Sequence, residues 1–417
     1  MTIKIQYVGV DVSETLSAFT TEKLEKLADK FEFLISAQVY IKHDDKDHEA
    51  GKICNIELSL PGPRLFATSN EPTYEMAVNQ TINDLTAYLD LVATAIAADI
   101  VPITGENRAL AYFGLQVINS QPRPGIKAII NQVKKEELTI TDVVFIVAPR
   151  INAAGRMKHG NYAVTLLTET NFELAKEYAA EIEEFNTDRR EADQQITVEA
   201  LQQIETNKEQ KRYTTVVYQE EWHKGVIGIV ASRLTETYYR PTLVFTKSGN
   251  TLAASARSVS GFDVYNALEA CSEHIEQFGG HKYAAGLTLL PENYEAFKAK
   301  FETVVKATID PKLLTPELKV DLEINLDQVD QRLMRILKQF APFGPGNMTP
   351  VFMTQNIKDT GWGKCVGEDK SHLRFTATQN GFENIVCIGF GLGNKLDIIK
   401  NKKIFNAAYT IDENHWN

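Results

Sequence analysis

The chain has 417 residues, of which 43% are hydrophobic and 24% are charged, a composition typical of folded globular proteins and not of disordered ones. This length corresponds to about two to four domains. The formal net charge is -11, from 44 Lys and Arg against 55 Asp and Glu. So acidic a total argues against nucleic acid as the partner.

The sequence has no feature of a membrane or exported protein. Its most apolar stretch, residues 91–103, is interrupted by Asp99 and Pro102 and is shorter than the ~18–20 residues that span a bilayer. The first residues alternate between apolar and polar, unlike a signal peptide. The four cysteines lie far apart without a C-x-x-C pair, which indicates neither a disulfide framework nor a zinc knuckle. We therefore expect a reduced, cytoplasmic protein.

Residues 1–88 have the pattern of an α+β sandwich with the element order β-α-β-β-β-α. Ser13 is the predicted cap of the first helix, and an edge strand from Arg64 follows a Pro-Gly-Pro turn. Half-polar strands with two helices on one face make a two-layer domain. The predicted inner faces comprise Ile35, Ala37, Val39 and Ile41 of one strand and Cys54, Ile56, Leu58 and Leu60 of the next.

From about residue 89 the pattern becomes that of an α/β protein. Residues 143–148 form a continuous β-rich apolar run, which predicts a strand buried on both faces. Residues 163–207 contain neither Pro nor Gly and predict a long connecting helix. Strand and helix patterns then alternate over residues 213–305, and strands dominate from residue 318.

Two acidic features allow more than one interpretation. Residues 43–49 contain His43, three aspartates, His48 and Glu49, which are metal-binding side-chain types. Their position between two alternating strands favours a solvated hairpin instead. Asp99 ends an apolar run, where a buried carboxylate needs a metal or another partner. The equal alternative is a helix-terminal aspartate that backbone groups satisfy.

Two segments combine small residues with basic ones. Residues 149–157 follow the predicted buried strand and contain Arg150, Asn152 and Arg156, which suit a phosphate. An internal ion pair is the alternative for one of the arginines. His223 precedes two glycines at the start of a predicted helix, where backbone N–H groups favour an anion. Close packing of the helix is the alternative for these glycines.

Two further segments resemble the first two in composition. One contains two hydroxyl groups beside an arginine, which can bind a phosphate at several points. The other places a histidine after two glycines, on a backbone bare of side chains. A lone histidine is more often structural, but four loops of this kind within about 140 residues are hard to attribute to coincidence. We therefore interpret them as phosphate-binding loops, and the residues of the latter two are Ser255, Arg257, Ser258, Gly279, Gly280 and His281.

Lysines gather near the end of the sequence, close to Phe390 and Phe405. Basic residues interleaved with aromatic ones on a small β-barrel suit single-stranded nucleic acid, whereas a solvated lysine loop is the alternative. The lysines are Lys395, Lys400, Lys402 and Lys403.

Residues 1–88 resemble the ribosome hibernation-promoting factors. The matching segments are residues 3–10, 13–30 and 35–41, Phe66-Ala67 and the helix from Tyr74. The resemblance implies an α+β domain that binds the small ribosomal subunit in the channel of messenger and transfer RNA. The charge departs from this, because residues 1–88 hold 8 Lys and Arg against 14 Asp and Glu, a net of -6. Binding to ribosomal RNA depends on cationic surface.

Residues 89–417 resemble the RecJ single-strand-specific exonucleases of the DHH phosphoesterase superfamily. The matching segments are residues 91–105, 149–157, 223–234, 255–258, 279–286 and 342–347. The resemblance implies a remnant of the phosphoesterase domain with a connecting helix at 89–205, a DHH-associated domain at 206–305, and a truncated oligonucleotide-binding-like barrel at 306–417. The whole is thus a predicted multidomain α/β and α+β protein.

The resemblance also implies roles for single residues. Asp99 falls at the last metal-binding aspartate of the phosphoesterase domain, which implies a divalent cofactor, Mn²⁺ or Mg²⁺. The Ser255, Arg257 and His281 positions fall in the domain that grips the phosphate end of the strand. The family's Asp-x-Asp pair and Asp-His-His triplet have no counterpart before Asp99, and Asp-His-His occurs nowhere in the chain. Two-metal hydrolysis needs several ligands around ions ~3.5–4 Å apart, so we expect little nuclease activity.

The resemblance predicts a RecJ-like, metal-dependent 5′→3′ exonuclease of single-stranded DNA in repair and recombination, represented here by its strand-gripping part. We expect Arg150, Arg156, Ser255, Arg257 and His281 to contact the strand. One alternative is a ribosome-associated protein of the hibernation type. The other is a single-stranded nucleic-acid binder that does not cut.

Overall fold

The computed structural model describes residues 1–31, 34–47, 49–59, 64–133, 135, 137–381, 385–400 and 403–413. Four features predicted from the sequence lie outside these residues, namely His48, Leu60, the Pro61–Pro63 turn and Lys402. The chain divides into two units by its internal contacts. The first comprises Met1–Gln121, Glu136–Val144 and Leu318–Asn417, and the second comprises Pro122–Lys135 and Phe145–Glu317. No helix among the described residues is long and apolar enough to cross a bilayer.

The N-terminal part of the first unit is the predicted two-layer domain. Its elements are β1 (Thr2–Val8), α1 (Glu14–Lys30), β2 (Ser36–His43), β3 (Lys52–Ser59), β4 (Arg64–Glu71) and α2 (Tyr74–Ala98). The strands pair in the order β1-β2-β3-β4, with only the first pair parallel. The Ser13 hydroxyl caps α1 by accepting from Leu16 N–H at 3.2 Å. Ile35 is the exception to the predicted inner face, because it precedes β2 and is exposed.

Helix α2 passes through residue 88 without a break. It packs on the next helix of the first unit, where Gly114 lies so close to α2 that an added Cβ would be 2.2 Å from the Leu89 carbonyl oxygen. The ring of Phe113 meets that of Phe31, at the end of α1, edge to face at 5.4 Å. The helices that follow α2 are α3 (Gly105–Ser120), α4 (Pro124–Asn131), α5 (Ile140–Asp142), α6 (Ala148–Met157), α7 (Asn161–Thr168) and α8 (Phe172–Thr206).

The predicted strand at residues 143–148 is wrong. Val143–Val147 is a π-helical turn that leads into α6, so residues 149–157 form a helix and not a loop. Val143 and Val147 are fully buried while Phe145 is 74% exposed, which is burial at helical spacing. A short apolar run cannot by itself distinguish a strand from a buried helix. The predicted connecting helix is confirmed except at residues 169–171, where Asn171 caps α8.

The second unit contains a mixed five-stranded sheet in the order β5-β6-β7-β9-β8. One face packs on α10 and α11 through residues such as Phe245, Leu287 and Phe297. The other face packs on α8 and α9 through Val217 and Val244. The elements are β5 (Thr215–Tyr218), α9 (Ile227–Tyr238), β6 (Thr242–Ser248), β7 (Thr251–Arg257), α10 (Val264–Glu269), β8 (Gln277–His281), β9 (Ala284–Leu289) and α11 (Tyr294–Thr308).

Two predicted loops are therefore strands. Ser255 and Arg257 belong to β7, in which buried Leu252, Ala254 and Ala256 alternate with them. Residues 279–286 form the β8–β9 hairpin. The alternation in β7 is built on alanine, whose weak hydrophobic signal hides the two-residue period.

The C-terminal part of the first unit is rich in strands, as predicted. Its elements are β10 (Leu322–Glu323), α12 (Gln331–Phe340), β11 (Phe352–Asp359), β12 (Lys364–Val366), β13 (His372–Thr378), β14 (Ile385–Gly389), α13 (Leu396–Ile399) and β15 (Phe405–Tyr409). They form a six-stranded sheet in which β14 pairs with β13 and β15 pairs with β11. The pairs between described residues do not close into a barrel.

Candidate nucleic-acid interface

Three strands of the second unit place the predicted phosphate residues on one face of the sheet. Ser255 of β7 is opposite Gly286 of β9, which is opposite Gly279 of β8. Two residues along, Arg257 is opposite Ala284, which is opposite His281. Side chains directly opposite each other, or two residues apart on a strand, point to the same face. The result is a strip with a bare centre, bordered by Ser255 and Arg257 on one side and by His281 on the other.

The start of α9 lies against this strip. A Cβ added to Gly228 would be 3.0 Å from Ser255 Oγ and 3.1 Å from Arg257 Nη2. Arg257 also donates to Ser255 Oγ at 3.0 Å and to the Ala256 carbonyl oxygen at 2.8 Å. Because Gly228 has no side chain, the helix backbone comes close to the Ser255 hydroxyl and the Arg257 guanidinium. The hydrogen bond between these two groups fixes their relative positions.

Arg156, at the end of α6, approaches the same helix start. Its Nη1 donates to the Gly225 carbonyl oxygen at 3.2 Å, and a Cβ on Gly225 would be 2.2 Å from the Arg156 carbonyl oxygen. His223 is exposed, and its Nδ1 accepts from Gly225 N–H at 3.1 Å. Close packing thus explains why Gly225 and Gly228 are glycines. The His223 ring, by contrast, lies at the surface.

The arginines of this region outnumber its acidic partners. Burial lowers the pKa of Arg257, and the charge of Arg156 lowers it further. Burial also lowers the pKa of Arg189, with Asp193 opposing the shift and Arg156 adding to it. The Asp193 carboxylate is buried and accepts two hydrogen bonds from Arg233, at 2.8 and 2.7 Å. Because Arg156 and Arg257 repel each other, a bound phosphate would relieve that repulsion.

Arg150 has partners within the protein. Its Nε lies 2.6 Å from Glu183 Oε2, and its Nη1 donates to the Ile146 carbonyl oxygen at 2.7 Å. This is the internal ion pair that the sequence left open for one of the two arginines. Asn152, one helical turn before Arg156, is exposed.

The β8–β9 hairpin presents His281 to solvent. Its Nδ1 accepts from Tyr283 N–H at 3.4 Å, and Gly279 and Gly280 are exposed. Ser258 instead points inward, since its hydroxyl donates to the Phe262 carbonyl oxygen at 3.0 Å. The structure therefore places Ser255, Arg257 and His281 on one face of the sheet. Ser258 instead makes a hydrogen bond within its own turn.

Asp99 lies in the first unit, at the C-terminal end of α2. It is exposed, and its backbone N–H donates to Ala95 and Ala97. In the part of the chain that the structure describes, no group of three or more His, Cys, Asp or Glu could hold a metal ion. Asp99 would contribute a single ligand, so these residues do not fit a two-metal centre.

The described lysines of this group, Lys395, Lys400 and Lys403, are exposed. Lys400 lies 3.5 Å from Asp397, and Lys403 donates to the Asp397 carbonyl oxygen at 3.3 Å. Lys395 ends a 3-10 turn. Phe405 packs into the core beside Phe375, so its predicted role at the surface is wrong.

A different set of residues forms the basic and aromatic surface of the C-terminal sheet. Lys364 is opposite Arg374, which is opposite Ile388, all on the outer face of β12, β13 and β14. Trp362 and Phe390 border this face and are 82% and 75% exposed. Sequence reasoning missed it, although the alternation of Arg374 with buried Leu373 and Ala377 was the available signal.

Three family models match the chain. Residues 210–307 match the DHHA1 domain, and residues 320–417 match the RecJ OB domain. Residues 3–92 match the family described as sigma 54 modulation protein / S30EA ribosomal protein.

Several relatives are named single-stranded-DNA-specific exonuclease RecJ. The Bacillus subtilis protein is 31% identical over 336 residues, which cover 79% of this chain and 42% of that protein. The Haemophilus influenzae protein is 31% identical over 350 residues, which cover 81% of this chain and 60% of that protein. Thus the chain spans roughly half the length of these relatives. The crystal structure of Thermus thermophilus RecJ with Mn²⁺ matches 83% of this chain and 51% of its own, at 26% identity and a TM-score of 0.69.

Proposed function

Because the chain is homologous to the RecJ exonucleases over most of its length and carries a hibernation-factor-like segment at its N terminus, we propose that it acts in the 5′→3′ degradation of single-stranded DNA during repair and recombination. Its part is to hold the phosphate end of the strand. The observation that carries this proposal is the strip of Ser255, Arg257 and His281, with Arg156 and Gly228 beside it.

Each residue of the strip has a definite chemical task in this proposal. The Arg257 and Arg156 guanidinium groups neutralise phosphate oxygens, and the Ser255 hydroxyl donates to one of them. The glycines opposite Ser255 let the strand lie against the backbone. The outer face with Trp362, Lys364, Arg374 and Phe390 binds single-stranded DNA by stacking and charge.

The proposal is tested by measuring whether binding of a single strand depends on Arg257. We expect Arg257→Ala to weaken binding of a 5′-phosphorylated oligothymidine by about tenfold, since a charge-assisted contact contributes ~1.5–3 kcal/mol. Fluorescence anisotropy at several salt concentrations measures this. Lys211→Ala is the matched control, because Lys211 is exposed in the same unit. Equal affinity of Arg257→Ala and wild type would contradict the assignment.

We also propose that the reaction depends on a divalent metal, Mn²⁺ or Mg²⁺, the ions held in two Thermus thermophilus RecJ structures. Asp99 is the candidate for one ligand. Because the described residues do not assemble a metal cluster, we expect this polypeptide alone to release little or no mononucleotide from a labelled single strand with either ion. Rapid release that stops on chelation would contradict this expectation.

The match over residues 3–92 supports a second candidate function, association with the ribosome. Co-sedimentation of the full chain with ribosomal subunits tests it. We place both functions in the cytoplasm, in keeping with four cysteines that are all free.

A further inference from the structure

The sheet of the N-terminal domain leaves one face uncovered. Its other face is buried under α1 and α2 through residues such as Val39 and Ile56. The uncovered side, here called the open face, consists of the alternate side chains of β1 to β4. Register places Lys4 in a row with Gln38, Glu57 and Phe66, places Tyr40 in the next row of this face and places Lys42 in the row after that.

The open face has a charge opposite to that of its domain. It carries three basic residues, Lys4, Lys42 and Arg64, and one acidic residue, Glu57, a net of +2, whereas residues 1–88 carry -6 in total. Arg64 pairs with Glu57. Lys4 and Lys42 have no ion-pair partner among the described residues, so their charges are available to a ligand. Most of the other described acidic residues lie on the helices and in the β2–β3 loop, and one of them, Asp47, accepts a hydrogen bond from Asn70 at the edge of the open face at 2.7 Å.

Aromatic rings accompany these lysines. Phe66 is 56% exposed on β4. The Tyr40 ring on β2 lies 5.9 Å from Lys42 Nζ, and its hydroxyl donates to Gln38 Oε1 at 3.0 Å. The remaining outward residues are mostly Thr, Ser, Asn and Gln. Flat sheet faces of this composition bind single strands, because bases stack on the rings and lysines neutralise the backbone.

We propose that the open face binds single-stranded DNA. The choice of DNA rests on the proposed function, and the charge of the face supports a polyanion. The lysines bind phosphates, and Tyr40 and Phe66 stack with bases.

Charge reversal on the full chain tests the proposal. We expect Lys4→Glu with Lys42→Glu to reduce the slope of log affinity against log salt by about 1.4 for oligothymidine, since each phosphate contact on a single strand contributes about 0.7. Lys23→Glu with Lys26→Glu on α1 is the control with the same change of charge. Phe66→Ala, at an exposed site, should weaken binding at least about fivefold.

Photo-crosslinking gives a second readout on the wild-type chain. An oligomer containing 5-iodouracil should crosslink to peptides from β2 or β4, as mapped by mass spectrometry. Unchanged affinity and slope in both variants, or crosslinks only outside β1–β4, would overturn the proposal. Tighter binding of oligouridine at this face would overturn the choice of DNA. Repeating the open-face substitutions in the Arg257→Ala background separates the two proposals. Arg257→Ala alone tests the strip, whereas any further loss of affinity from the open-face substitutions tests the open face.

Discussion

A glycine is as important to the candidate phosphate site as its charged residues. Gly228 is buried, and the Ser255 hydroxyl and Arg257 guanidinium occupy the space where its side chain would be. The sequence left open whether this glycine serves a ligand or close packing. The structure shows close packing of Gly228 against Ser255 and Arg257. Under the proposed function, the same contact would also hold these two side chains in place for the phosphate.

Gly228→Ala should therefore impair binding more than folding. The new methyl group, 3.0 Å from Ser255 Oγ and 3.1 Å from Arg257 Nη2, would push these groups aside by a few tenths of an ångström, whereas alanine itself favours the helix by up to about 1 kcal/mol. We expect several-fold weaker binding of a 5′-phosphorylated oligothymidine with an unchanged urea midpoint. Gly155→Ala, on α6 with open space nearby, is the control. A normal affinity for Gly228→Ala would show that the two side chains need not hold these positions.

Among the elements, α2 determines how the N-terminal domain can be divided from the rest. Composition changes near residue 88, and the predicted boundary falls there. The helix instead continues to Ala98, and the next helix packs on its second half. Periodicity predicted the helix but not the packing, because a contact between helices depends on small residues such as Gly114, whose sequence signal is weak. The fourfold domain division stays a prediction.

Gly114→Val tests this packing. An added side chain would meet the Leu89 carbonyl oxygen and the Ala93 methyl group, at 2.2 and 2.5 Å from its Cβ. Overpacking costs about 1–3 kcal/mol, so the free energy of unfolding in urea should fall by at least this amount. Gln116→Val introduces the same residue at an exposed position of α3 and should cost much less. Equal losses would attribute the effect to helix propensity alone.

For the molecule as a whole, the strand and helix order of the N-terminal domain and the elements β5, α9 and β6 could be predicted from alternation and caps. The strands β7, β8 and β9 could not, because their alanines and glycines give a weak two-residue period. The continuous helical segment at 143–157 could not, since its first five residues are mostly β-branched and have no clear period. The surface charges were also hidden, because a total of -11 says nothing about the side of a sheet on which each charge lies. Register, which only the structure provides, separates the faces.

Three thiols, of which Cys54 and Cys271 are buried and Cys387 is partly exposed, predict a loss of stability at alkaline pH. Burial raises the pKa of Cys54 to about 12 and the pKa values of Cys271 and Cys387 to about 11. The unfolded chain ionises these thiols from about pH 8.5, so it loses protons first and stability falls as pH rises above that value. The Cys54→Val, Cys271→Ala and Cys387→Val variant should lose less stability between pH 8.5 and 10 than the wild type, as measured by urea unfolding. Equal losses of stability in the variant and the wild type would show that the thiols do not cause the pH dependence.

The pairing of β7, β9 and β8 also limits which changes in chain length the protein tolerates. Ser255, Gly286 and Gly279 lie in one row, and Arg257, Ala284 and His281 lie in another. One residue inserted within β9 would turn Ala285 and Leu287 towards the strip and bury Gly286, because a slip of one residue exchanges the two faces of a strand. Insertions are therefore expected to be tolerated in the turns of the segment between β7 and β8 but not in α10, which packs on the sheet. Within the three strands, the number of residues is as restricted as their types.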